Sequence, residues 1–562
     1  MKVIYLSAII GLTANVLLAG NNLFPNGDFE QFDGNLPREW QGKSWNNEYC
    51  KATWNSVSPG RGGAGKAFRI NTSTYMTAMD FTAPEIAVES GAVYLFKGYY
   101  RFGGRRFDIN AKILDAENKT VGRWTQWLPS SQNEWIAFFD EIQIPPTGKK
   151  IVFSIKKKQT SEFLELDDFS LRKGTFYDYA DEFKPRLTEP GETFPIFCWV
   201  APRQYRSFGA VVGKIYKSPR AYAEYAYANN TIWGDPRFGQ KRIIHISELT
   251  PELNEESETI FSIHGGDEPR PYKFPTLVKQ QEKLKKIAPK LKYTNNLLPV
   301  YGFKDFTVYE KYLEDYFSLI KPKISTYDHY AFPANDPNYI WKDYFPNLAI
   351  FRKVAKKYNS DYGIIVQLTG FGGCRPATEG DMNFQAYTAL AFGCKELGWF
   401  TFFEPVGEYD NWHEAVIDTK GNRTYHYAMM RRINAEVLEL GKTLLKLDNT
   451  GVYFNQDLPR FCQGIKDAGM IERIGGGKAL AGEFVNPESG KKYLMIVNRS
   501  FTKPAELEVV FRDKVKTLTP VSPLDGKLEE TQVIDRGWFN LFDGKIKIKL
   551  GVGKGKLYLV NN

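Results

Sequence analysis

The chain has 562 residues, 43% hydrophobic and 25% charged, with 48 Gly and 30 Pro; at about 150 residues per domain this excludes one small domain, and the composition excludes a collagenous, coiled-coil or largely disordered chain. The 74 Lys and Arg against 65 Asp and Glu leave a net charge of +9, too dilute over this length for a nucleic-acid footprint. Aromatic residues reach 15%, with 12 Trp, 32 Tyr and 40 Phe, and aromatic faces stack on flat apolar surfaces such as sugar rings.

Met1-Lys2, the apolar stretch Val3 to Ala19 and the small residues Ala19-Gly20 follow the order of a secretory signal. Residues 1–20 are therefore expected to be a signal peptide, and the mature chain to be secreted, periplasmic or at the cell surface. No apolar run of about 18 residues follows, so no membrane span is expected in the mature chain. Cys50, Cys198, Cys374, Cys394 and Cys462 are too few and too scattered for a disulfide framework and read as small buried hydrophobes.

From residue 21 to 174, apolar and polar residues alternate over short runs broken by Gly, Pro and Asn, as in AVYLFKGYYRF, FDINAKILDA and KIVFSIKKK, the pattern of an antiparallel β-sandwich. Among Trp40, Trp45, Trp54, Trp124, Trp127 and Trp135 some must fill the core, and one or two can form a sugar platform. Arg101, Arg105, Arg106, Lys149, Lys150 and Lys156 to Lys158 either solvate strand faces or meet an acidic polysaccharide. The two ends, NLFPNGDFE (Asn22 to Glu30) and FLELDDFSL (Phe163 to Leu171), resemble the opening and closing strands of jelly-roll carbohydrate-binding modules of families 4 and 22. That resemblance implies a structural calcium between Glu30 and Asp168, since carboxylate oxygens suit that hard cation; the alternative is that these acids merely finish strand ends. Residues 175–192 read as a linker.

From 193 to 442 short apolar runs alternate with helix-length amphipathic stretches, which points to βα units and a parallel sheet. Candidate strands run over Phe194 to Ala201, Asn230 to Trp233, Arg242 to Ile246, Thr259 to Gly265, Thr294 to Val300, Lys323 to Tyr330, Tyr362 to Leu368 and Leu397 to Phe403. FPTLVKQQEKLKKIAPKL and TVYEKYLEDYFSLI show helical spacing, and NFQAYTALAFGC reads as a buried helix before the last strand. Eight such units are the count of a (β/α)8 TIM barrel. After Lys442 the runs KALAGEFV, KKYLMIVNRS, AELEVVF, GKIKIKL and GKLYLV predict a smaller all-β domain over 443–562, without a catalytic cluster.

In such a barrel the working residues stand at the C-terminal ends of the strands. The fourth expected strand ends in His264-Gly265-Gly266-Asp267-Glu268-Pro269, the sixth in Tyr327-Asp328-His329-Tyr330, the seventh at Gln367 and the eighth at Glu404-Pro405. Glu268, after a Gly-Gly turn and before a rigid proline, is the first candidate for a general acid whose pKa partial burial would raise. His245, His413 and His426 converge with no acid at metal-ligand spacing, no cofactor is expected for catalysis, and Gly475 to Gly477 read as a turn.

GGDEP resembles the strand-four acid/base motif of the large clan of barrel glycoside hydrolases, in which Asn-Glu-Pro is the usual form, and Arg375 to Pro405 resembles the segment after the nucleophile in family 42 β-galactosidases. The resemblance implies hydrolysis of an O-glycosidic bond in a poly- or oligosaccharide, with Glu268 as acid/base. It departs at Gln367, which stands where the clan places its nucleophilic Glu and cannot attack a sugar carbon. The second carboxylate is then Asp328 or Glu404, with Glu379 behind them, at about 5 to 5.5 Å for retention or about 6.5 to 9.5 Å for inversion. Asp267-Glu268 also resembles the Asp-Glu pair of family 20 hexosaminidases, where the substrate's acetamido group is the nucleophile, and a glycan-binding protein on a degenerate barrel is a further alternative. Asp267, His264, Tyr327, His329, Tyr330, Gln367, Trp399 and Trp412 are the expected substrate contacts.

Overall fold

The computed structural model describes residues 22–44, 52–72, 79–104, 106–129, 131, 133–156, 163–184, 193–202, 218–228, 234–254, 257–404, 411–512, 514–534 and 544–561. The expected signal peptide, Trp45, Cys50, Arg105, Lys157, Lys158, the strand at Asn230 to Trp233 and Pro405 lie outside these residues. The chain divides into two compact units at Glu182/Phe183, with Asn422–Ala428 counted in the first.

The first unit is a two-sheet antiparallel sandwich. One sheet runs Thr120–Pro129, Arg106–Leu114, Lys150–Lys156, Met79–Thr82, Gln41–Ser44; the other runs Ile136–Gln143, Val93–Phe102, Leu164–Lys173, Ala67–Thr72, Ala52–Val57. Alternate burial along Lys150–Lys156 follows the period-two pattern of its sequence. The inward residues are largely aromatic: Phe96 stacks on Phe153 at 4.2 Å between ring centroids and meets Trp124 edge-on at 5.6 Å. Trp40 is in this core, whereas Trp127 is exposed and Trp135 lies 5.4 Å beneath the Arg101 guanidinium. Lys150 pairs with Glu85 and Lys156 with Asp80, so these two cations solvate and tie strand faces.

Two expectations are corrected here. Glu30 and Asp168 do not form a cation site: Asp168 is taken by the Arg61 guanidinium at 2.5 Å, and Glu30 Oε1 accepts the Lys66 backbone N–H at 2.8 Å. A guanidinium against one of the two carboxylates repels a calcium ion, so the donor set does not fit that metal. Nor is Thr175 to Lys184 a free linker. Phe176 is buried and its N–H donates to Glu141, the short helix Ala180–Phe183 follows, and Glu182 pairs with Lys97 at 2.9 Å; residues 185–192 lie outside the described residues.

The second unit opens with a seven-stranded sheet in which every pairing is parallel. Its strands are β1 (Ile196–Cys198), β2 (Arg242–His245), β3 (Ile260–Asp267), β4 (Lys292–Leu297), β5 (Ile324–His329), β6 (Asp361–Gln367) and β7 (Glu396–Phe400). The order β1-β7-β6-β5-β4-β3-β2 sets the first strand beside the last, so the sheet curls, with β1 and β2 at its edges. β5 and β6 are buried along nearly their whole length, as parallel strands covered on both faces must be.

Among the described residues a helix follows each of these strands except β2, which short 3-10 turns join to β3: α1 (Pro219–Tyr227), α2 (Phe274–Ile287), α3 (Phe306–Ile320), α4 (Tyr344–Lys357), α5 (Glu379–Phe392) and α6 (Tyr425–Leu444). α3 starts where Asp305 accepts the N–H groups of Thr307 and Val308, filling donors that the first turn leaves unpaired. α5 starts in a capping box between Thr378 and Asp381 and stops at Gly393, whose φ of 89° suits glycine. Almost all of α5 is buried, as NFQAYTALAFGC predicts.

The C-terminal β-domain belongs to the same compact unit as the parallel sheet. The five expected strands form, as Ala479–Val485, Lys492–Asn498, Ala505–Phe511, Lys545–Leu550 and Gly555–Asn561, in a seven-stranded and a three-stranded sheet around one apolar core. Among the described residues no helix is long and apolar enough to cross a membrane.

Candidate active site

The site begins with a register shift. His264 of β3 is opposite Thr294, and Asp267 is opposite Asn296, so β3 spends one residue more than β4 over this stretch. A bulge of this kind re-aims the side chains that follow it, and Gly265-Gly266 supplies the small residues it needs. Glu268 follows at once, with φ at 43° and its N–H donating to the Asn296 carbonyl at 2.8 Å. A glutamate in the left-handed region is strained, and this one is held there by its backbone bond to β4.

Asn296 is the hub of the site. Its Nδ2 donates to Asp267 Oδ1 at 3.0 Å and to Asp328 Oδ1 at 2.8 Å, while its Oδ1 accepts from the Thr326 hydroxyl at 3.3 Å. The Thr326 contact fixes which end of the amide faces the acids, so one nitrogen gives a hydrogen to each carboxylate. Asp267 at the end of β3 and Asp328 near the end of β5 are thereby brought within two hydrogen-bond lengths of each other across β4.

The electrostatics follow from this crowding. Asp328 is 5% exposed; burial pushes it up to about 7, the charges of Glu268 and Asp267 add to the rise, and the Asn296 hydrogen bond opposes it. Glu268 is raised by loss of hydration and by Asp267, against Arg270. Asp267 is raised by loss of hydration, with Asn296 opposing. Asp267 and Glu268 are nonetheless exposed: water reaches them, yet neighbouring protein replaces part of their hydration shell.

Two tyrosines, Tyr330 and Tyr301, feel the charges of the acids, and Tyr330 belongs to an aromatic cluster. Tyr330 meets Phe371 at 4.9 Å and Phe400 at 5.1 Å, and Trp412 stacks on Phe371 at 4.5 Å with 22° between planes. Burial raises the Tyr330 phenol first, and the charges of Asp328, Asp267 and Glu268 raise it further. Tyr301 is raised in the same way by burial, Asp328 and Glu268, and its ring stands 5.5 Å from His329. His329 points away from Asp328, as successive residues of a strand do. Its Nε2 bonds to Asp343 at 3.2 Å; burial pushes Asp343 up, and His329 outweighs it and leaves the carboxyl lowered.

Of the expected residues, Asp267, Glu268, Asp328 and Tyr330 come together, with Trp412 on the adjoining aromatic wall. His264 stands on β3 before the bulge, between Trp199 and His245, its Nε2 buried without a partner and its pKa pushed down to about 4 by burial and His245. Glu404 is placed in another set: its N–H donates to Ile417, and after burial its titration answers to Asp418, Thr419, His413 and Glu414. Glu379 pairs with Arg432 at 2.8 Å.

Three expected substrate contacts are corrected. Tyr327 is fully buried and stacks on Phe351 at 4.6 Å, Trp399 is fully buried with its indole N–H on Asn434, and both are core. Gln367 is fully buried as well. Its side chain bonds the Phe332 N–H, the Phe332 carbonyl and the Arg375 carbonyl, and its backbone is paired with the Gln385 amide, so it stitches the loops after β5 and β6 and is unavailable to a ligand. Sequence reasoning passed over Asn296, Tyr301 and Phe371. The available signal for Asn296 was a polar Asn-Asn pair inside the apolar run TNNLLPV.

No protein-family profile and no curated protein matches the chain. Among solved structures, an arabinose-bound GH51 α-L-arabinofuranosidase is 11% identical, covering 96% of this chain and 94% of its own, with a TM-score of 0.32. The CBM22-1 and GH10 modules of Clostridium thermocellum xylanase 10B, complexed with xylohexaose, are 9% identical over 73% of this chain and 96% of theirs, with a TM-score of 0.28. A CBM61 in complex with β-1,4-galactotriose is 18% identical over 27% of this chain and 99% of its own, with a TM-score of 0.21. At these scores the likeness assigns no activity to this chain.

Proposed function

We propose that this protein is a secreted glycoside hydrolase that cleaves O-glycosidic bonds of a poly- or oligosaccharide, with Glu268 as general acid/base and Asp328 as its partner carboxylate. The parallel sheet is read as part of a (β/α)8 barrel, and the N-terminal sandwich as a carbohydrate-binding module. The observation that carries the reading is the acid cluster around Asn296, open to solvent at Glu268 and coupled to Tyr330, whose ring meets Phe371 and, through it, Trp412.

Like charges this close do not ionise together, so the cluster keeps a proton that a lone carboxyl loses well below neutrality. Glu268, the member open to solvent, delivers it to the departing glycosidic oxygen as the bond to the anomeric carbon breaks. With the cluster's proton on Glu268 and Asp328 ionised, as a pKa of about 7 permits near neutral pH, Asp328 accepts a proton from the incoming water as the new C–O bond forms, and this transfer restores the cluster's proton count. The aromatic wall offers faces for a sugar ring. A second reading, a glycan-binding protein without turnover, is favoured by one observation: β6 ends in the buried amide of Gln367, where a hydrolase of this kind would carry its second acid.

The test is a panel of neutral, acetamido and acidic polysaccharides offered to wild type and Glu268→Gln, with reducing ends and binding both recorded. The expected result is release by wild type that falls by about 10²- to 10⁴-fold in Glu268→Gln while binding persists. Release confined to acetamido sugars and equally lost in Asp267→Asn would replace Asp328 by the substrate's own acetamido group. Binding without release by either protein across the panel would establish the non-catalytic reading.

A further inference from the structure

A cleft opens in the second unit between the segment after β5 and the C-terminal β-domain. One wall is the segment after β5, with Tyr339 and Trp341; the other is the C-terminal β-domain, with Arg460, Lys478 and Arg499; Phe306 at the start of α3 lies between them. Asp343 lines the same cleft and is the hydrogen-bond partner of His329, the residue after Asp328. Asp343 thus ties the cleft to β5 through His329, which directly follows Asp328 in sequence and faces the other side of the strand.

Its chemistry differs from that of the acid cluster. Trp341 is 43% exposed and meets Tyr339 edge-on at 6.0 Å, presenting indole surface to solvent. Arg460, exposed, lies over the rings of Phe306 at 5.3 Å and Phe461 at 5.0 Å. Arg499 is held over Phe345 and Phe454, donates one nitrogen to the Gln456 carbonyl at 2.6 Å, and keeps a buried Nε without a partner. Only two carboxylates, Asp343 and Asp457, line the cleft against the cationic side chains Lys342, Arg460, Lys478 and Arg499; Asp457 is already paired with Lys478 at 2.6 Å.

We propose that this cleft is an accessory subsite that holds an acidic sugar unit, one bearing a carboxylate or a sulfate, of the chain whose bond is cut at Glu268 and Asp328. The inference rests on the hydrolase reading above and gives it a substrate class. Guanidinium groups bind such anions through paired, charge-assisted hydrogen bonds, and an exposed indole supplies the stacking face that a sugar ring needs. The acid cluster itself repels an anionic unit, so a charged chain binds with its charge displaced from the cut bond, into the cationic cleft.

The experiment measures binding rather than turnover, so that it can fail independently of the hydrolase reading. Glu268→Gln and the same protein carrying Arg460→Ala with Trp341→Ala are titrated with polygalacturonate, a sulfated galactan and a neutral galactan at low and high salt. Both truncated side chains are exposed, so the fold should survive, and circular dichroism checks this. The expected result is at least about tenfold weaker binding of one or both acidic polymers in the cleft variant, a loss that shrinks at high salt, with a clearly smaller and salt-independent loss on neutral galactan, where only the indole contact is removed. Loss with polygalacturonate alone assigns the carboxylate, loss with the sulfated polymer alone assigns the sulfate, and loss with both assigns the shared charge. Equal binding by the two proteins, or an equal loss on the neutral polymer, overturns the acidic subsite. Release of reducing ends by wild type would in that case leave the hydrolase reading standing.

Discussion

Tyr327 and Asp328 are neighbours in sequence and opposites in role, because a strand sends alternate side chains to opposite faces. Tyr327 faces the layer under the sheet, where its hydroxyl is buried without a hydrogen-bond partner. Tyr327→Phe is therefore expected to leave activity unchanged and stability equal or higher, since an unsatisfied buried hydroxyl costs free energy; a fall in kcat/KM would return Tyr327 to the site. Asp328 carries a pH signature. Its folded pKa of about 7 lies above that of an unfolded aspartate, so the folded state holds the proton more firmly, and the resulting stability is present at low pH and lost as pH rises to about 7. Asp328→Asn lacks this loss. Its stability relative to wild type should grow on the order of a few kcal/mol between about pH 4 and 7 and level off above, as read from urea midpoints across that range.

At the scale of elements, the position of the acids depends on how closely the strands approach. A Cβ on Gly363 of β6 would lie 2.7 Å from the backbone oxygen of Glu396 in β7, and a main-chain atom in a buried sheet cannot swing aside as a side chain can. Gly363→Ala is expected to cost about 1–3 kcal/mol by forcing β6 and β7 apart, measured as a lowered denaturant midpoint at unchanged slope. The strands themselves were legible from apolar runs bounded by Gly, Pro and polar residues, and most expected spans match the observed ones within a few residues. The bulge at Gly265-Gly266 was not, because register depends on pairing with β4 and Asp267 does not signal its partner in sequence.

At the scale of the whole molecule, the C-terminal β-domain, which the sequence reads as a smaller all-β packing domain, belongs to one compact unit with the parallel sheet. The contact is close: a Cβ on Gly482 of the strand Ala479–Val485 would stand 2.2 Å from the Ala391 carbonyl of α5, and Asn449 reaches the same carbonyl at 3.1 Å. Gly482→Val should lower stability by at least about 1–3 kcal/mol. Because the interface is shared, calorimetry should show the loss in the transition of the sheet and the C-terminal domain together; a shift confined to a separate C-terminal transition would mean that the two fold independently.

The sequence alone determined the order of the folded regions, the β-rich ends, the βα alternation between them and the candidates Glu268 and Asp328, because composition, periodicity and turn residues are local properties. Tertiary structure decided which of the polar residues near strand ends serve the site. Gln367 and Glu404 occupy comparable places in sequence to Asp328, yet one is spent on loop carbonyls and the other answers to Asp418 and Glu414. Only Asp328 shares the amide of Asn296 with Asp267. That sharing is a matter of which strands lie side by side and in what register, and the acids' raised pKa values follow from the same crowding.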